Sequence, residues 1–306
     1  MKQLRVGNSD FTASEIILGC MRLTKLNRKE ATALLETAYD CGIDFFDHAD
    51  LYAFGGSEEL FAQALADSSI PRDKIKIQTK CGIRPKVCFD FSKKHILESV
   101  DASLQRLQTD HVESFLLHRP DTLMEPEEVA EAFTRLHESG KVLYFGVSNM
   151  RPYQIELLQK YVGQRLLINQ LQFSAANTGM IDMGINVNMT NPQSVDHDGG
   201  ILDYCRLKDI TIQAWSPIQY GYFGGVFLGS ELYPELNAVL DRLAGEKGVS
   251  SSAVAIAWIL RHPAKIQPVL GTTKQQRVRD MCQASNITLT REEWYEIYLA
   301  AGNKLP

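Results

Sequence analysis

The sequence lacks an apolar stretch long enough to cross a membrane. Its longest apolar runs are short ones such as residues 253–260, well below the roughly 20 residues that a bilayer span requires. The amino terminus also lacks the apolar region of a signal peptide, because Asn8, Ser9 and Asp10 interrupt it directly after the early charges. We therefore predict a soluble, cytoplasmic protein that has no membrane partner.

The sequence also lacks the patterns of cysteine and histidine that hold metals. Its six cysteines lie far apart without a CxxC pair, so neither a zinc site nor a framework of disulfides is predicted. No HxH or HExxH spacing is present, and no metal is expected. We expect reduced thiols, most of them buried.

An excess of basic residues is missing as well. The 32 lysines and arginines are outnumbered by 37 aspartates and glutamates, which gives a net charge of -5. Because polyanion-binding surfaces are basic, nucleic acid is not an expected partner. What the chain does contain is 44% hydrophobic and 23% charged residues, a composition typical of a globular protein with a sizeable core.

Short strand-like segments alternate with helical ones along the chain. Eight segments are mostly β-branched or aromatic, and they cover residues 16–19, 43–46, 75–79, 112–117, 142–147, 166–169, 210–214 and 266–270. Eight βα units predict a closed (β/α)8 TIM barrel, whose usual length is about 250 residues. We predict that residues 1–306 form a single domain of this α/β class. No GxGxxG follows a strand, so a Rossmann dinucleotide site is not expected.

Several helix boundaries are marked in the sequence. Ser92 precedes apolar residues of helical period and is a predicted N-cap. Pro126 stands where the first turn of another helix tolerates proline. Residues 57–59, Ser-Glu-Glu, predict the start of a third helix, because carboxylates are favoured at this end of the helix dipole.

Three segments exceed what a barrel needs. Residues 3–6 and 11–14 flank a turn of Gly, Asn, Ser and Asp, which predicts a β-hairpin that caps the bottom of the barrel. Residues 174–200 are too long for an ordinary connection, and a long loop of a barrel commonly frames the ligand. Residues 290–306 predict a short amphipathic helix at the carboxyl end.

Polar side chains follow the predicted strands at their carboxyl ends. In a (β/α)8 barrel these ends meet at one mouth, where the chemistry takes place. Ionisable groups of several types that converge on one mouth predict a functional site. The residues at these ends are Cys20, Met21, Asp47, Tyr52, Lys80, His118, Ser148, Asn149, Gln170, Trp215, Ser216, Thr272 and Thr273.

Five stretches of the sequence match one ordered set of motifs. Residues 46–60 read FDHADLYAFGGSEEL and are similar to the signature FDTAxxYGxxxSEExL. The others are residues 78–80 (QTK), 116–121 (LLHRPD), 140–149 (GKVLYFGVSN) and 270–277 (LGTTKQQR). In this order they resemble the motifs of the aldo-keto reductase family. The resemblance spans residues 16–281, nearly the whole predicted barrel.

This resemblance implies an enzyme that transfers a hydride from NADPH to a small-molecule aldehyde or ketone and yields an alcohol. It implies Tyr52 as the general acid, with Lys80 as the neighbouring cation that favours the phenolate. Asp47 would pair with Lys80 and keep it charged. His118 would form a hydrogen bond with the substrate carbonyl and orient it.

The resemblance also assigns residues to NADPH. Ser148, Asn149 and Gln170 match the residues that bind the carboxamide, and Trp215 stands where an aromatic ring, most often Tyr, stacks on the nicotinamide. The remaining assignments are Gly19, Cys20, Met21 and Asp47 near the first two strands, Ser216 and Pro217 at the pyrophosphate, and Gly271, Thr272, Thr273 and Arg277 at the adenosine ribose and its 2′-phosphate.

One departure from the family bears on the choice between NADPH and NADH. Many members carry Lys where this chain has Gly271, so one cation expected near the 2′-phosphate is missing. Lys274 either replaces that cation or is a solvated surface residue. Arg277 favours NADPH.

Other functions fit parts of the sequence. Lys80 could serve as the Schiff-base nucleophile of a barrel aldolase. A metal-dependent hydrolase would use His48, Asp50, His118 and the Asp-His-Asp cluster at 196–198. A non-catalytic NADP-binding regulatory subunit of a channel would retain the same polar groups without turnover.

The segment 220–233 is the part of the chain that the family motifs match least. Tyr220, Tyr222 and Phe223 either line an apolar pocket or pack beneath the loop. Because this segment, residues 174–200 and the tail would define the substrate pocket, the sequence predicts neither the physiological substrate nor the oligomeric state.

Overall fold

The computed structural model describes residues 1–222 and 224–306. Its strands are β1 (Gln3–Arg5), β2 (Thr12–Ser14), β3 (Ile17–Gly19), β4 (Phe45–Asp47), β5 (Lys76–Cys81), β6 (Ile83–Arg84), β7 (Cys88–Phe89), β8 (Val112–Leu117), β9 (Val142–Ser148), β10 (Leu166–Gln172), β11 (Thr211–Trp215) and β12 (Gln267–Leu270). Eight of them, β3 to β5 and β8 to β12, are parallel and close into a barrel, because β12 pairs with β3. This confirms the predicted (β/α)8 TIM barrel.

Several barrel strands run further toward their carboxyl ends than predicted. The prediction ends at residues 79 and 169, whereas β5 continues to Cys81 and β10 to Gln172. The apolar pattern does not predict these additional strand residues, because they begin with the polar residues Lys80 and Gln170. They remain strands since Lys80 pairs with Leu116 of β8 in the parallel ladder.

Helices alternate with the barrel strands, as predicted, and the last two helices follow the last strand. They are α1 (Arg28–Asp40), α2 (Gly56–Asp67), α3 (Lys93–Leu107), α4 (Pro126–Glu138), α5 (Pro152–Tyr161), α6 (Gly179–Ile185), α7 (Ile201–Leu207), α8 (Pro234–Lys247), α9 (Ser251–Leu260), α10 (Gln275–Cys282) and α11 (Arg291–Ala300). Ser92 caps α3 and Pro126 opens α4, as predicted. Helix α2 begins at Gly56, one residue early, and Ser57 Oγ donates to the Cys20 carbonyl at 2.5 Å. No helix of the described residues is long and apolar enough to cross a membrane.

The predicted amino-terminal hairpin is present and closes one end of the barrel. Strands β1 and β2 pair antiparallel. Phe11, between them, lies edge-on to Phe45 with ring centres 5.5 Å apart and stacks on Tyr144 at 4.7 Å. Val6 and Phe11 pack with Phe45 and Leu167 in one buried cluster. Since Phe45 and Leu167 lie at the starts of β4 and β10, the hairpin covers the amino ends of the strands.

The long segment 174–200 and the carboxyl tail hold each other in place. The segment contains α6 rather than a plain loop. The tail forms the predicted helix, α11, capped by Thr290. Tyr298 on this helix donates to Asp182 of α6 at 2.8 Å. Trp294 stacks on Trp258 of α9 with ring centres 4.8 Å apart. The tail therefore packs on the barrel, and its hydrogen bond with Asp182 holds α6 in place.

A buried ion pair fixes helices α2 and α3 to strand β5 beside the barrel mouth. Glu58 on α2 is fully buried. Its carboxylate accepts hydrogen bonds from Thr79 Oγ1 at 2.6 Å and from Arg106 Nε at 2.7 Å. Thr79 directly precedes Lys80 on β5, and Arg106 lies on α3. Because a buried carboxylate without its cation is strongly disfavoured, the pair ties these three elements together.

Replacing Arg106 with Leu is expected to lower the free energy of unfolding by about 3 kcal/mol, because Glu58 stays buried and loses its cation. Urea unfolding followed by circular dichroism measures the change. The matched control is Lys94→Leu on the same helix, whose exposed ammonium lies 3.9 Å from Glu98 and whose loss costs at most about 0.5 kcal/mol. Equal losses in the two variants would contradict this role of the buried pair.

Candidate active site

The strand register brings polar side chains to one level inside the barrel. Asp47 on β4 pairs with Gln78 on β5, and Gln170 on β10 pairs with Gln213 on β11. All four residues are buried. Asp47 Oδ1 accepts hydrogen bonds from Lys80 Nζ at 2.5 Å, Gln78 Nε2 at 2.6 Å and Gln170 Nε2 at 3.0 Å. Asp47 on β4 is therefore the common acceptor for side chains of β5 and β10.

Buried glutamines extend this network through the barrel. Gln213 Oε1 accepts from Gln78 at 2.8 Å and from Gln170 at 3.1 Å. Gln213 Nε2 in turn donates to Gln267 at 3.4 Å, and Gln267 donates to the Ser14 carbonyl at 2.9 Å. No role for Gln78, Gln213 or Gln267 is predicted from the sequence. The signal that could reveal them is an amide side chain within a predicted barrel strand, where a buried polar group requires a hydrogen-bond partner.

Lys80 is enclosed by its hydrogen-bond acceptors. It is fully buried, and its Nζ donates to the His48 carbonyl at 2.7 Å as well as to Asp47. Burial lowers the pKa of the Lys80 ammonium, and the Asp47 carboxylate opposes that shift. A carboxylate this close, itself held by two amides, keeps Lys80 charged.

Tyr52 lies between Lys80 and His118. Lys80 Nζ is 5.3 Å from the centre of the Tyr52 ring, and the His118 ring lies edge-on with its centre 6.0 Å away. Burial and the Asp47 charge raise the pKa of the Tyr52 phenol well above its ordinary value. The family resemblance implies that Lys80 favours the phenolate. In the structure Asp47 offsets the Lys80 charge, so the protonated phenol is favoured.

Tyr52 opens a turn with unusual backbone angles. In the 3-10 turn Tyr52–Gly55, Ala53 and Phe54 have φ of 51° and 54°. This left-handed conformation costs a residue with a side chain about 1 to 2 kcal/mol. The family signature FDTAxxYGxxxSEExL has glycine at position 53, where the conformation is not strained. Strand β4 and helix α2 hold the turn from both ends, which keeps Tyr52 at the mouth despite the strain.

His118 follows β8 and is neutral at neutral pH. Burial lowers the pKa of its imidazole well below the ordinary value, and the charges of Lys80 and Arg119 lower it further. Its Nδ1 atom is buried without a hydrogen-bond partner among residues 1–222 and 224–306. A neutral imidazole has one N–H to donate, which suits a carbonyl oxygen as acceptor.

Asn149 joins the ends of three barrel strands. Its backbone is left-handed, with φ of 59°. Its Nδ2 donates to Ser148 Oγ at 2.7 Å and to the His118 carbonyl at 3.4 Å, and its Oδ1 accepts from Trp215 Nε1 at 3.1 Å. The structure thus brings Ser148, Asn149 and Trp215 together and fixes the orientation of the Trp215 ring.

Gln170 presents an acceptor to this end of the site. Its Nε2 already donates to Asp47 and to Gln213. Its Oε1 accepts no hydrogen bond from the described residues, so an oxygen is left for a ligand that donates. The amide NH2 of a carboxamide is such a donor. This donor and acceptor arrangement fits a nicotinamide.

Several of the residues assigned to the cofactor lie where β3 meets β12. Gly19 ends β3, and a Cβ added there would lie 2.9 Å from Val269 Cγ1, so only glycine permits this close pairing. Cys20 is buried after it, and Met21 is partly exposed. Thr272 and Thr273 follow β12 in sequence, half-buried.

Arg22 supplies a cation that is not predicted from the sequence. Its Nη1 donates to the Gly271 carbonyl at 3.0 Å, and a Cβ added at Gly271 would lie 2.9 Å from the same nitrogen. Arg22 therefore occupies the space beside the position where relatives carry Lys. Lys274 and Arg277 also follow β12 in the chain, and both are exposed. No local pattern connects Arg22 with Gly271, because only barrel closure makes them neighbours.

The loop after β11 is compact near the mouth. Ser216 has φ of 54°, and the following Pro217 is buried. Tyr220 packs against the main core, which supports packing beneath the loop for this residue. Tyr222 is 69% exposed and reaches toward Trp215. Phe223 lies outside the described residues.

The residues of the metal-dependent alternative do not gather at one point. His48 is buried, neither ring nitrogen has a partner among the described residues, and burial lowers the pKa of its imidazole to about 3. In the described part of the chain, the group of three possible ligands is Asp50, Cys81 and His95, with one atom of each within 4.8 Å of the others. At 196–198 both aspartates accept hydrogen bonds from nearby backbone amides.

Comparison with known proteins identifies the family of the chain. A profile of the Aldo/keto reductase family matches residues 15–300. The chain is 38% identical over 312 residues to the uncharacterized oxidoreductase YcsN of Bacillus subtilis, covering 97% of each chain. It is 38% identical over 314 residues to a 6-dehydroglucose reductase of Agrobacterium fabrum, covering 98% of each chain. The chain belongs to the aldo/keto reductase family.

A further relative supports the same conclusion, and a solved structure shares the fold. The chain is 33% identical to oxidoreductase YdhF of Escherichia coli, covering 94% of this chain and 93% of that protein. Its fold matches the crystal structure of the thermostable aldo-keto reductase Tm1743 in complex with the inhibitor epalrestat, with a TM-score of 0.79 at 22% identity, covering 98% of this chain and 100% of that chain. The chain is an oxidoreductase, and these findings support carbonyl reduction as its general reaction.

Asp50 gives the site a pH-dependent contribution to stability. Burial and the neighbouring Glu58 raise the pKa of the Asp50 carboxyl to about 7. Because the same carboxyl titrates near pH 4 in the unfolded chain, folding takes up a proton between these values, and stability falls as the pH rises through that window.

We therefore expect Asp50→Asn to be more stable than the wild type at pH 8, by up to about 4 kcal/mol, and by less at pH 5. Urea unfolding at the two pH values measures this difference. Asp73→Asn, whose side chain is 73% exposed, is the control and is expected to show no such pH-dependent gain. A pH-independent effect of Asp50→Asn would contradict the raised pKa.

Proposed function

We propose that this chain catalyses the NADPH-dependent reduction of an aldehyde or ketone to an alcohol. The observation that carries the proposal is the arrangement of Tyr52 beside the Lys80–Asp47 pair and the neutral His118. The phenol is protonated, the ammonium is held by a carboxylate, and the imidazole is a neutral donor. This combination suits proton delivery to a developing alkoxide.

Each side chain has a separate role in the proposed reaction. His118 donates a hydrogen bond to the carbonyl oxygen and orients it. Tyr52 gives its phenolic proton to that oxygen as negative charge develops there. Lys80 stabilises the resulting phenolate, and Asp47 holds Lys80 in place. The nicotinamide, when bound, supplies the hydride.

The proposed cofactor contacts follow the fit described above. Ser148, Asn149 and the Gln170 oxygen would hold the carboxamide, and the Trp215 ring would form the platform beneath the nicotinamide. The remaining candidate contacts are Gly19, Cys20, Met21 and Asp47 near β3 and β4, Ser216 and Pro217 after β11, and Gly271, Thr272, Thr273 and Arg277 after β12, to which the structure adds Arg22. Two arginines without a described carboxylate partner favour the extra phosphate of NADPH.

The proposal extends to the whole chain and its setting. Residues 1–306 would act as one domain. The six unpaired cysteines suit a reducing compartment such as the cytoplasm. Because two relatives are named 6-dehydroglucose reductase, aldehydes are the carbonyl compounds to test before ketones.

The geometry argues against the aldolase alternative. A Schiff-base lysine must reach the substrate carbonyl as a neutral amine. Lys80 Nζ is instead engaged by the Asp47 carboxylate and the His48 carbonyl, and the side chain is fully buried. It acts on the substrate through Tyr52 rather than directly.

Tyr52→Phe is expected to lower kcat for NADPH-dependent aldehyde reduction by at least about 100-fold, because the proton donor is removed. The dissociation constant of NADPH is expected to change by less than about threefold, since Tyr52 is not among its proposed contacts. Loss of NADPH absorbance measures turnover, and quenching of tryptophan fluorescence measures binding.

Tyr153→Phe, at a tyrosine that is 89% exposed on α5, is the control and should retain wild-type activity. Full activity of Tyr52→Phe would overturn the mechanism. Wild-type protein that binds NADPH and reduces no carbonyl compound would favour the regulatory subunit instead.

Arg22→Gln is expected to raise the dissociation constant of NADPH at least about tenfold, since a charge-assisted contact to a cofactor phosphate is lost. A parallel titration with NADH identifies the phosphate, because a loss confined to NADPH points to the 2′-phosphate. Lys25→Gln, an exposed residue just beyond in the chain, is the control. Unchanged affinity of Arg22→Gln for both cofactors would contradict the placement of Arg22.

A further inference from the structure

Arg119 stands at the mouth beside the proposed catalytic residues. It directly follows His118 at the end of β8 and is half-buried. Its guanidinium carbon lies 5.9 Å from the centre of the Trp215 ring and 5.8 Å from that of Tyr222. The two rings cover the guanidinium and leave its N–H groups for another partner.

No carboxylate of the described residues pairs with Arg119. Burial lowers the pKa of the guanidinium. An arginine nevertheless stays charged at any physiological pH. A charge withdrawn from water without a counter-ion is disfavoured, so the structure has a cation here that a bound anion would stabilise.

The charge balance of the site makes this cation distinctive. Lys80, the other cation at the mouth, is neutralised by Asp47 at 2.5 Å. Arg119 is not neutralised, and it lies close enough to His118 to contribute to the lowered pKa of that imidazole. The space in front of His118, where the carbonyl would bind, therefore lies in a positive field.

We propose that Arg119 binds a carboxylate of the substrate, so that the preferred substrates are aldehydes or ketones that also carry a carboxylate. The planar guanidinium suits two parallel hydrogen bonds to such a group. His118 orients the carbonyl while Arg119 holds the acidic end, which fixes the substrate at two points. This inference rests on the proposed function and adds the substrate class to it.

Matched aldehydes test the inference. For the wild type, kcat/KM for 4-carboxybenzaldehyde is expected to exceed that for 4-methylbenzaldehyde at least about tenfold. Arg119→Met is expected to remove this preference, mainly through a higher KM for the carboxylate. Arg119→Lys should retain part of it, because the charge remains and the two-point geometry is lost. Arg165→Met, at an exposed residue just before β10, should keep the full preference.

A binding measurement separates this inference from the proposed function. Calorimetric titration with benzoate in the presence of NADP+ is expected to show binding that weakens at least about tenfold in Arg119→Met. Equal kcat/KM for the two aldehydes, faster reduction of glyceraldehyde than of 4-carboxybenzaldehyde, or benzoate binding indifferent to Arg119 would each overturn the inference. Absence of turnover with every aldehyde, alongside Arg119-dependent benzoate binding, would count against the reductase alone.

Discussion

The contact between Asp47 and Lys80 is the interaction on which the rest of the site depends. Two opposite charges buried inside a barrel are tolerated only when their remaining hydrogen-bonding atoms are satisfied. The glutamines at 78 and 170 meet that demand at the carboxylate, and the His48 carbonyl meets it at the ammonium. Their amides donate in turn to Gln213, which itself donates to Gln267. One ion pair thereby accounts for a polar core that most barrels fill with aliphatic side chains.

The same pair sets the protonation of its neighbours. With the ammonium offset by a carboxylate, burial governs the phenol beside it and keeps Tyr52 protonated. His118 meets the uncompensated charge of Arg119 as well as burial, and it stays neutral. The mouth thus combines an acid that holds its proton, a donor without charge and a cation without a described carboxylate partner. This division of roles depends on spacing more than on residue type.

The barrel and most of the site could be predicted from the sequence, because β-branched runs mark strands and polar residues mark their ends. The strand ends themselves were harder to place, since Lys80 and Gln170 continue the ladder without being apolar. Arg22 and the interior glutamines escaped prediction for another reason. Their partners are distant in the chain, as with Arg22 and Gly271, and only the closed barrel defines the pairing.

The seam between β3 and β12 has a consequence for how the protein matures. Leu18 pairs with Leu270. One edge of the first barrel strand therefore stays unpaired until nearly the whole chain has been synthesised. The proposed adenosine end of the cofactor site lies across this seam, between Arg22 and the residues after Leu270. A nascent or partly opened barrel therefore has no complete site. A dinucleotide that binds across this seam would stabilise the closed barrel and shift the equilibrium away from opened, protease-sensitive chains.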